Sequence, residues 1–446
     1  MRIQWKAVFR ALLVLLILFM ISLSLPAVRD RVAWRWDQVR IWMRYTFFPP
    51  EEAVFIPKES KKTPAFTLTL TLTPPPTSTP LTPTNAQTEE VESPPTILPD
   101  PTHTHTPTPT PLPARVTLEG VRYEHQHGLW NYCAPANLAM ALSYWGWEGD
   151  RMDVGRYLKP EEYDKNVMPY EMVNYITNET DLSAVLRPGG TIELLKLLIA
   201  NEFPVLIEKG VFTRETLTGR MAWMGHYALL VGYDDAEEHF ISRDSYYSPP
   251  DYPLDFPISY EEIIKEWRGF NYKFLVIYSP ELEEDLFPLL GSFLDEDFAY
   301  QNALERAIYE VSYLEEMDLF LAWFNRGTNL VYLYDYGNAA QAFDEAFRLY
   351  AELSKEIRPY RLMWYRTEPY FAYYYTGRYQ DVIDLATTTI DAADKPYLEE
   401  SWYWRAKAKI ALGDRDGAIR NLQTSLEYHP GYVPSLEELE ALGVSD

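Results

Sequence analysis

The stretch Gln126–Trp145 reads QHGLWNYCAPANLAMALSYW and contains the one cysteine among the 446 residues of the chain. Pro135 suits the first turn of a helix, because the N–H group that proline lacks has no intrahelical partner there. The following residues are good helix formers with apolar side chains at helical spacing. The sequence therefore predicts a helix that begins near Cys133, whose dipole would favour a thiolate. A small buried apolar side chain is the alternative interpretation of this cysteine.

The composition of the chain restricts the class of protein. Hydrophobic residues make up 47% of the sequence, which is enough for two or more domains with cores of their own. The formal net charge is −25 and no basic stripe is present, which argues against binding to nucleic acid. A single cysteine excludes an internal disulfide bond and a cysteine-rich zinc site, and we expect no cofactor.

The first 28 residues predict a membrane anchor. Three basic residues precede an uncharged, apolar run from Ala11 to Val28 that is about long enough to span a bilayer. A cleaved signal peptide is the alternative, but the residues before Arg29 make a poor cleavage site. We therefore expect residues 1–28 to form a short cytoplasmic tip and an uncleaved anchor.

Two further segments separate this anchor from the globular part. Residues 29–60 mix arginines with aromatic residues such as Trp36 and Trp42, as expected for a juxtamembrane helix at the headgroup level. A helix packed on the globular part is the alternative. Residues 61–114 are mostly Thr, Pro and Ser, which cannot bury a core and predict a disordered stalk. The simplest arrangement is a single-pass protein of the cell membrane with its globular domains on the extracellular side.

Residues 115–280 alternate between helical and strand-like patterns and predict an α+β domain. Helices are expected near 169–178 and 192–201, and strands at 183–186, 204–208, 226–233, 239–243 and 273–278. The run from His226 to Tyr233 is apolar on both faces, as in a central strand, and a polar turn then leads into the next strand. The prediction is a helical half that carries Cys133, followed by an antiparallel sheet.

Residues 281–446 contain long helical patterns and no strand-like run, which predicts an all-α domain. Gly337, Gly377 and Gly413 recur at spacings of 40 and 36 residues, and we expect each glycine to join two helices. The pattern resembles tetratricopeptide repeats. That resemblance implies a concave helical surface for a peptide or protein partner, and a packing platform for the preceding domain is the alternative.

The histidines of the chain supply candidate bases for the cysteine, since a nucleophilic thiol needs a base within reach and an acceptor that orients the base. Of seven histidines, two lie in the predicted stalk, two lie close to the cysteine in sequence and one lies in the last helical repeat. The remaining candidates are His226 and His239. We favour His226 because it begins the predicted central strand, and Asp244 follows the partner strand, where it can accept the imidazole N–H.

Three segments together resemble the papain-like cysteine peptidases of family 39, the bacteriocin-processing or double-glycine peptidases. They are Trp130–Ala136 around the cysteine, Gly225–Asp234 around the histidine, and Asp244. The resemblance covers roughly residues 118–280, and the order of cysteine, histidine and aspartate with a Gly-His-Tyr strand is fairly specific.

The resemblance implies a papain-like fold and a role for each matching residue. Cys133 would be the nucleophile, His226 the general base and Asp244 the residue that orients the base. The family also uses a glutamine shortly before the cysteine to bind the oxyanion, and Gln126 is the candidate here. The function implied is hydrolysis of an amide bond in a peptide or protein substrate through an acyl-enzyme.

Two other hypotheses remain open. The domain could be catalytically inactive and act with the helical repeats as a binding module. Two departures from the family pattern favour an inactive domain. Ala134 stands where the family usually has glycine, and Gln126 lies seven residues before Cys133, which is further than usual. His127 is a second candidate for the residue that donates to the oxyanion. The third hypothesis, a metal site built from the cysteine, His226 and the aspartate, is disfavoured because no paired-ligand spacing occurs.

Overall fold

The computed structural model describes residue 13 and residues 26–58, 111–161, 164–214 and 219–444. Most of the predicted anchor at 1–28 and of the predicted stalk at 61–114 therefore lies outside the described residues. Among the helices of the described ranges, none combines the length and the apolar character that crossing a membrane requires.

The N-terminal helix α1 (Pro26–Phe47) and the segment after it pack on the C-terminal helices of the chain. Tyr45 is buried, and the Arg44 guanidinium donates a hydrogen bond to the carbonyl oxygen of Asp391 at 2.7 Å. Phe55 meets Phe347 edge to face, with 5.0 Å between the ring centroids. This part of the segment at 29–60 is thus a packed element of the globular structure, as one of the two interpretations of the sequence expects.

The domain at residues 115–280 is organised by a sheet that has seven strands within the described ranges. The strands are β1 (Arg115–Thr117), β2 (Ser183–Arg187), β3 (Val205–Arg214), β4 (Met221–Asp234), β5 (His239–Arg243), β6 (Phe256–Ser259) and β7 (Phe274–Tyr278). Their order is β2-β7-β3-β4-β5-β6, β1 also pairs with β4, and every pair is antiparallel. The predicted antiparallel sheet is confirmed.

The two central strands are longer than the sequence pattern predicts. They pair continuously from Val205 opposite Leu230 to Arg214 opposite Met221. The prediction that His226 begins its strand is therefore wrong, because β4 starts five residues earlier. The extension is stabilised by Trp223, which is 1% exposed and packs in an aromatic cluster with residues from the C-terminal helices.

Helices cover the sheet and form the other half of the domain. They are α2 (Cys133–Tyr144), α3 (Arg151–Leu158), α4 (Pro169–Glu179), α5 (Ile192–Ala200) and α6 (Tyr260–Arg268). The α2 helix is almost wholly buried, and Leu138 and Leu142 are fully inaccessible within the main core. Burial of this apolar helix against the sheet fixes the position of its first residue, Cys133.

The C-terminal region is largely helical. Its helices are α7 (Glu283–Leu290), α8 (Glu296–Glu310), α9 (Glu316–Tyr332), α10 (Tyr336–Glu352), α11 (Leu362–Tyr365), α12 (Glu368–Tyr375), α13 (Tyr379–Ala392), α14 (Glu399–Ala411), α15 (Arg415–Tyr428) and α16 (Val433–Ala441). Gly377 and Gly413 join antiparallel helix pairs and have positive φ angles of 76° and 84°. The prediction that Gly337 joins two helices is wrong. Gly337 is the second residue of α10, and Tyr334, with φ of 60°, makes the turn before that helix.

The α+β domain and the C-terminal helices share one compact unit with residues 26–58. Arg366 is completely buried at their junction, where it donates hydrogen bonds to the carbonyl oxygen of Gly269 at 2.9 Å and to Thr328 at 2.7 Å. The side-chain amides of Asn271 and Asn329 also pair across it, at 2.7 Å and 3.2 Å. A buried polar junction of this kind holds the two regions in a fixed relation.

Candidate active site

Cys133 is the first residue of α2, so the predicted start of this helix is confirmed. Its side chain is half-buried, and no acidic residue occupies the first turn of the helix. The N-terminal end of a helix carries a partial positive charge that favours an anion. The preceding residue, Tyr132, is held by Gly155 of α3, where any Cβ atom would lie within 1.7 Å of the tyrosine oxygen.

His226 and Asp244 lie side by side next to the cysteine. The imidazole Nε2 of His226 is 2.6 Å from Oδ1 of Asp244, and both side chains are buried. Oδ1 also accepts a hydrogen bond from the backbone N–H of Tyr246 at 2.9 Å. The sulfur of Cys133 lies near enough to the same imidazole to help raise the pKa of His226. Because Nε2 is used by the aspartate, Nδ1 is the ring nitrogen left for the sulfur.

The electrostatics of His226 and Asp244 favour an ion pair. Burial alone would lower the pKa of His226, but the charge and hydrogen bond of Asp244, with a smaller contribution from the nearby Cys133 sulfur, outweigh burial and raise this pKa to about 9. Burial would raise the pKa of Asp244, but the charge and hydrogen bond of His226 hold it below its usual value. The arrangement can therefore hold an imidazolium beside a carboxylate at neutral pH.

A buried lysine stands behind the aspartate. Lys209 lies opposite His226 in the pairing of β3 and β4, and its Nζ atom is 3.6 Å from Oδ2 of Asp244 and 3.2 Å from Oε2 of Glu266. Burial opposes its charge, yet the two carboxylates outweigh burial and raise the pKa of Lys209. The positive charge of the lysine also contributes to the lowered pKa of Asp244.

Gln126 is held beside the cysteine by a short hydrogen-bond chain. Asn137, one turn along α2, donates to the carbonyl oxygen of Cys133 at 2.9 Å and to Oγ of Ser245 at 2.8 Å. Ser245 in turn donates to Oε1 of Gln126 at 2.8 Å. The Nε2 amide of Gln126 makes no hydrogen bond within the described residues, so it remains able to donate to a bound oxyanion.

The two histidines closest to the cysteine in sequence occupy other positions. The rings of His125 and His127 stack, with 5.9 Å between their centroids, and both residues are exposed. Nε2 of His127 is 2.8 Å from the carbonyl oxygen of Tyr246. This contact engages Nε2 of His127, whereas Nε2 of Gln126 has no hydrogen-bond partner within the described residues. Gln126 is therefore the better candidate of the two for the donor to an oxyanion.

Tyr365 brings the C-terminal helices to the edge of this site. A Cβ atom on Gly225, the residue before His226, would lie 3.1 Å from the Tyr365 ring. The phenol is near enough to Cys133 for the charge of the sulfur to help raise its pKa, although burial is the larger cause. The cleft around the cysteine is therefore bordered by a residue from outside the α+β domain.

One group of side chains elsewhere has the spacing of metal ligands. Asp164, Glu399 and His429 place ligand atoms within 4.8 Å of one another. Glu399 and His429 already pair directly, with 2.8 Å between Oε1 and Nδ1. This internal pairing accounts for the histidine and one carboxylate without an ion.

Sequence reasoning located Cys133, His226 and Asp244, and the structure brings these residues together. It missed the supporting residues Lys209 and Ser245. A charged Glu-Lys pair inside the apolar run of β3 was the available sign of Lys209, because a central strand rarely buries a lysine without a partner. Ser245 directly follows Asp244, but nothing local in the sequence indicates its contact with Gln126.

Comparisons with known proteins agree with the architecture of this domain. Residues 118–273 match the Peptidase_C39 like family. A solved structure described as a C39-like peptidase from Bacillus anthracis has 19% identity and a TM-score of 0.30, covering 36% of this chain and 96% of its own. Xylellain, a cysteine protease from Xylella fastidiosa, has 18% identity and a TM-score of 0.29, covering 38% of this chain and 87% of its own.

A search of curated proteins found no match to the chain. The family match spans the cysteine helix, the central strands and the residues that follow them. The match therefore supports a cysteine-peptidase-like fold for residues 118–273, which we call the C39-like domain.

Proposed function

We propose that the protein is a cysteine peptidase that hydrolyses an amide bond in a peptide or protein substrate. Cys133 attacks the carbonyl carbon, His226 takes the thiol proton and later donates it to the leaving amine, and Asp244 holds the imidazole. Water then hydrolyses the acyl-enzyme and frees the thiol. Gln126 donates its Nε2 amide to the oxygen that becomes negative in each tetrahedral intermediate.

The observation that supports this proposal is a buried imidazole held by a carboxylate close to a thiol. Its Nε2 atom lies 2.6 Å from the carboxylate of Asp244, and the sulfur of Cys133, at the start of a helix, is near enough to the ring to help raise the pKa of His226. An inactive binding module would have no need for a half-buried thiol beside a held imidazole. The match of residues 118–273 to the Peptidase_C39 like family agrees with hydrolysis.

The test is labelling of the full chain with a thiol-directed acyl electrophile. We expect Cys133 to react near neutral pH, and we expect His226→Ala to slow the reaction about 100-fold or more, because the thiolate loses its cationic partner. His429→Ala is the matched control, since His429 also pairs with a carboxylate but lies among the C-terminal helices. Equal labelling of the wild type and His226→Ala would contradict the proposal and favour the inactive module.

We also propose that the C-terminal helices act as tetratricopeptide-like repeats that bind a peptide or protein.

We further propose that the chain is held at the outer face of a cell membrane. The support comes from an apolar face of α1, whose residues follow helical spacing and are all exposed: Val32, Trp36, Val39, Met43 and Phe47. An exposed apolar helix face of this kind can lie in the headgroup region. Co-sedimentation with lipid vesicles tests this, and Trp36→Ser with Phe47→Ser should weaken it.

A further inference from the structure

A large cavity lies between the C-terminal helices and one side of the C39-like domain. It encloses about 530 Å³ and is lined by nine tyrosines, one phenylalanine and one tryptophan among its residues. Its volume falls within the range of about 300–1,000 Å³ that is usual for small-ligand sites. We call it the tyrosine cavity.

The rings of the tyrosine cavity present large aromatic faces to solvent. Tyr300 and Tyr332 stack with 4.2 Å between centroids, and Tyr336 and Tyr375 stack with 4.6 Å. Tyr375 is 56% exposed, so the second pair has an open side. Aromatic faces of this kind pack against proline and aromatic side chains and attract cations.

The cavity also contains a buried carboxyl group that has no cation beside it. Glu400 is 6% exposed, and within the described ranges its side chain forms no ion pair and no hydrogen bond to another residue. Burial and the neighbouring charges of Glu399 and Glu171 raise its pKa well above the usual value, which favours the neutral acid while the cavity holds no cation. Glu296, on the same lining, is exposed and likewise has no ion pair there. A cationic ligand would favour the ionised form of Glu400 and become its ion-pair partner.

The cations on the lining are used within the protein. The guanidinium of Arg187 donates hydrogen bonds to the carbonyl oxygens of Phe293 at 2.9 Å and Leu294 at 2.7 Å. Lys273 interacts electrostatically with Glu368 and with a second buried glutamate. The donors of Arg187 and the charge of Lys273 are therefore engaged within the protein, which leaves the carboxyl groups of Glu296 and Glu400 for a cationic ligand.

One residue borders both the tyrosine cavity and the cysteine site. Tyr365 lines the cavity, and its ring also lies against Gly225, the residue before His226. A peptide is favoured over a glycan as the ligand, because the thiol on the other side of Tyr365 is suited to amide bonds.

We propose that the tyrosine cavity binds a part of a peptide substrate away from the cleaved bond and selects a lysine or arginine side chain flanked by proline or aromatic residues. This inference rests on the proposed peptidase function. The C-terminal helices then select the substrate, and the C39-like domain carries out the reaction.

The test uses the full chain with Cys133→Ala, so that bound peptide is not consumed. Two blocked peptides are compared by calorimetry at low salt, Pro-Tyr-Lys-Pro-Tyr and the same peptide with norleucine in place of lysine. We expect the lysine peptide to bind at least tenfold more tightly. Equal affinities, or tight binding of a neutral oligosaccharide with no binding of either peptide, would overturn the proposal.

Variants in the cavity sharpen this test. Glu400→Gln keeps the shape of the side chain and should reduce the preference for lysine to less than threefold, whereas Glu437→Gln, an exposed change away from the lining, should leave it intact. Tyr375→Ala, at an exposed position that tolerates truncation, should weaken both peptides. A preference for lysine that survives Glu400→Gln unchanged would reject the assigned role of Glu400.

The two proposals can fail separately. If the wild-type chain cleaves neither peptide but the lysine preference depends on Glu400, the cavity assignment stands and the peptidase proposal fails. If the wild-type chain cleaves both peptides with equal kcat/KM, the peptidase proposal stands and the cavity assignment fails.

Discussion

The site around Cys133 and the tyrosine cavity differ in whether their buried ionisable side chains have a partner of opposite charge. At the first site Asp244 pairs with His226, and Lys209 pairs with Glu266. In the cavity, Glu400 is also buried and has no cation beside it. A cluster of paired ionisable groups specifies one geometry, whereas an unpaired carboxyl group among aromatic rings leaves part of the interaction to a ligand. The comparison separates a region suited to chemistry from one suited to recognition.

The largest expected effect is that of Asp244→Asn on hydrolysis. The amide no longer stabilises the imidazolium, and we expect kcat to fall by roughly 10³- to 10⁴-fold. The pKa of His226 is about 9 because of the carboxylate. It should therefore decrease in the variant, so that the imidazolium of His226 and the residual activity are lost at a lower pH.

The measurement for Asp244→Asn is a pH profile of kcat/KM together with calorimetric binding of the lysine peptide. The alkaline limb should move to lower pH while the affinity for the peptide changes less than twofold. An alkaline limb that stays in place would show that another group sets the ionisation of the pair.

The next effect concerns the junction between the two regions. Arg366→Met removes the hydrogen bonds to Gly269 and Thr328 and leaves the buried carboxylate of Glu368 without its guanidinium partner at 3.3 Å. We expect the free energy of unfolding to fall by about 3 kcal/mol, measured by urea denaturation. Arg348→Met is the control, because its ion pairs are exposed and should contribute less than about 1 kcal/mol. Equal losses would mean that the buried junction adds no stability.

A smaller effect is expected from the lysine behind the aspartate. Lys209→Met removes one of the charges that hold the pKa of Asp244 below its usual value. That pKa should rise, so the carboxylate becomes protonated at a higher pH and the acid limb of kcat/KM moves upward. We expect about a twofold to threefold loss of kcat/KM at the acid end of the profile and little change near pH 7. Lys209→Arg should restore most of the profile, which a purely structural role of the side-chain volume would not predict.

The contrast between the two regions also explains what the sequence could predict. The helix at Cys133 and the β4–β5 hairpin follow from local patterns, so the neighbours of the thiol could be inferred from strand pairing. Gly337 was assigned to a turn from its spacing alone, but Tyr334 takes the left-handed conformation there. The tyrosine cavity was not predictable, because its lining comes from segments as distant as Tyr170 and Tyr432 whose approach depends on tertiary packing.

The smallest expected effect tests the hydrogen bond that orients Gln126. Ser245→Ala removes the hydroxyl that donates to Oε1 at 2.8 Å, so the amide can rotate and presents Nε2 to the oxyanion less often. Because this donor acts only in the tetrahedral intermediates, kcat should fall about five- to tenfold with little change in KM. Ser242→Ala is the matched control, since Ser242 is also buried beside β4 and its hydroxyl has no hydrogen-bond partner within the described residues. A higher KM with unchanged kcat would instead show that Gln126 contributes to substrate binding. The site around Cys133 would then share the recognition of the substrate with the tyrosine cavity, and the difference between the two regions would be smaller than their charge pairing suggests.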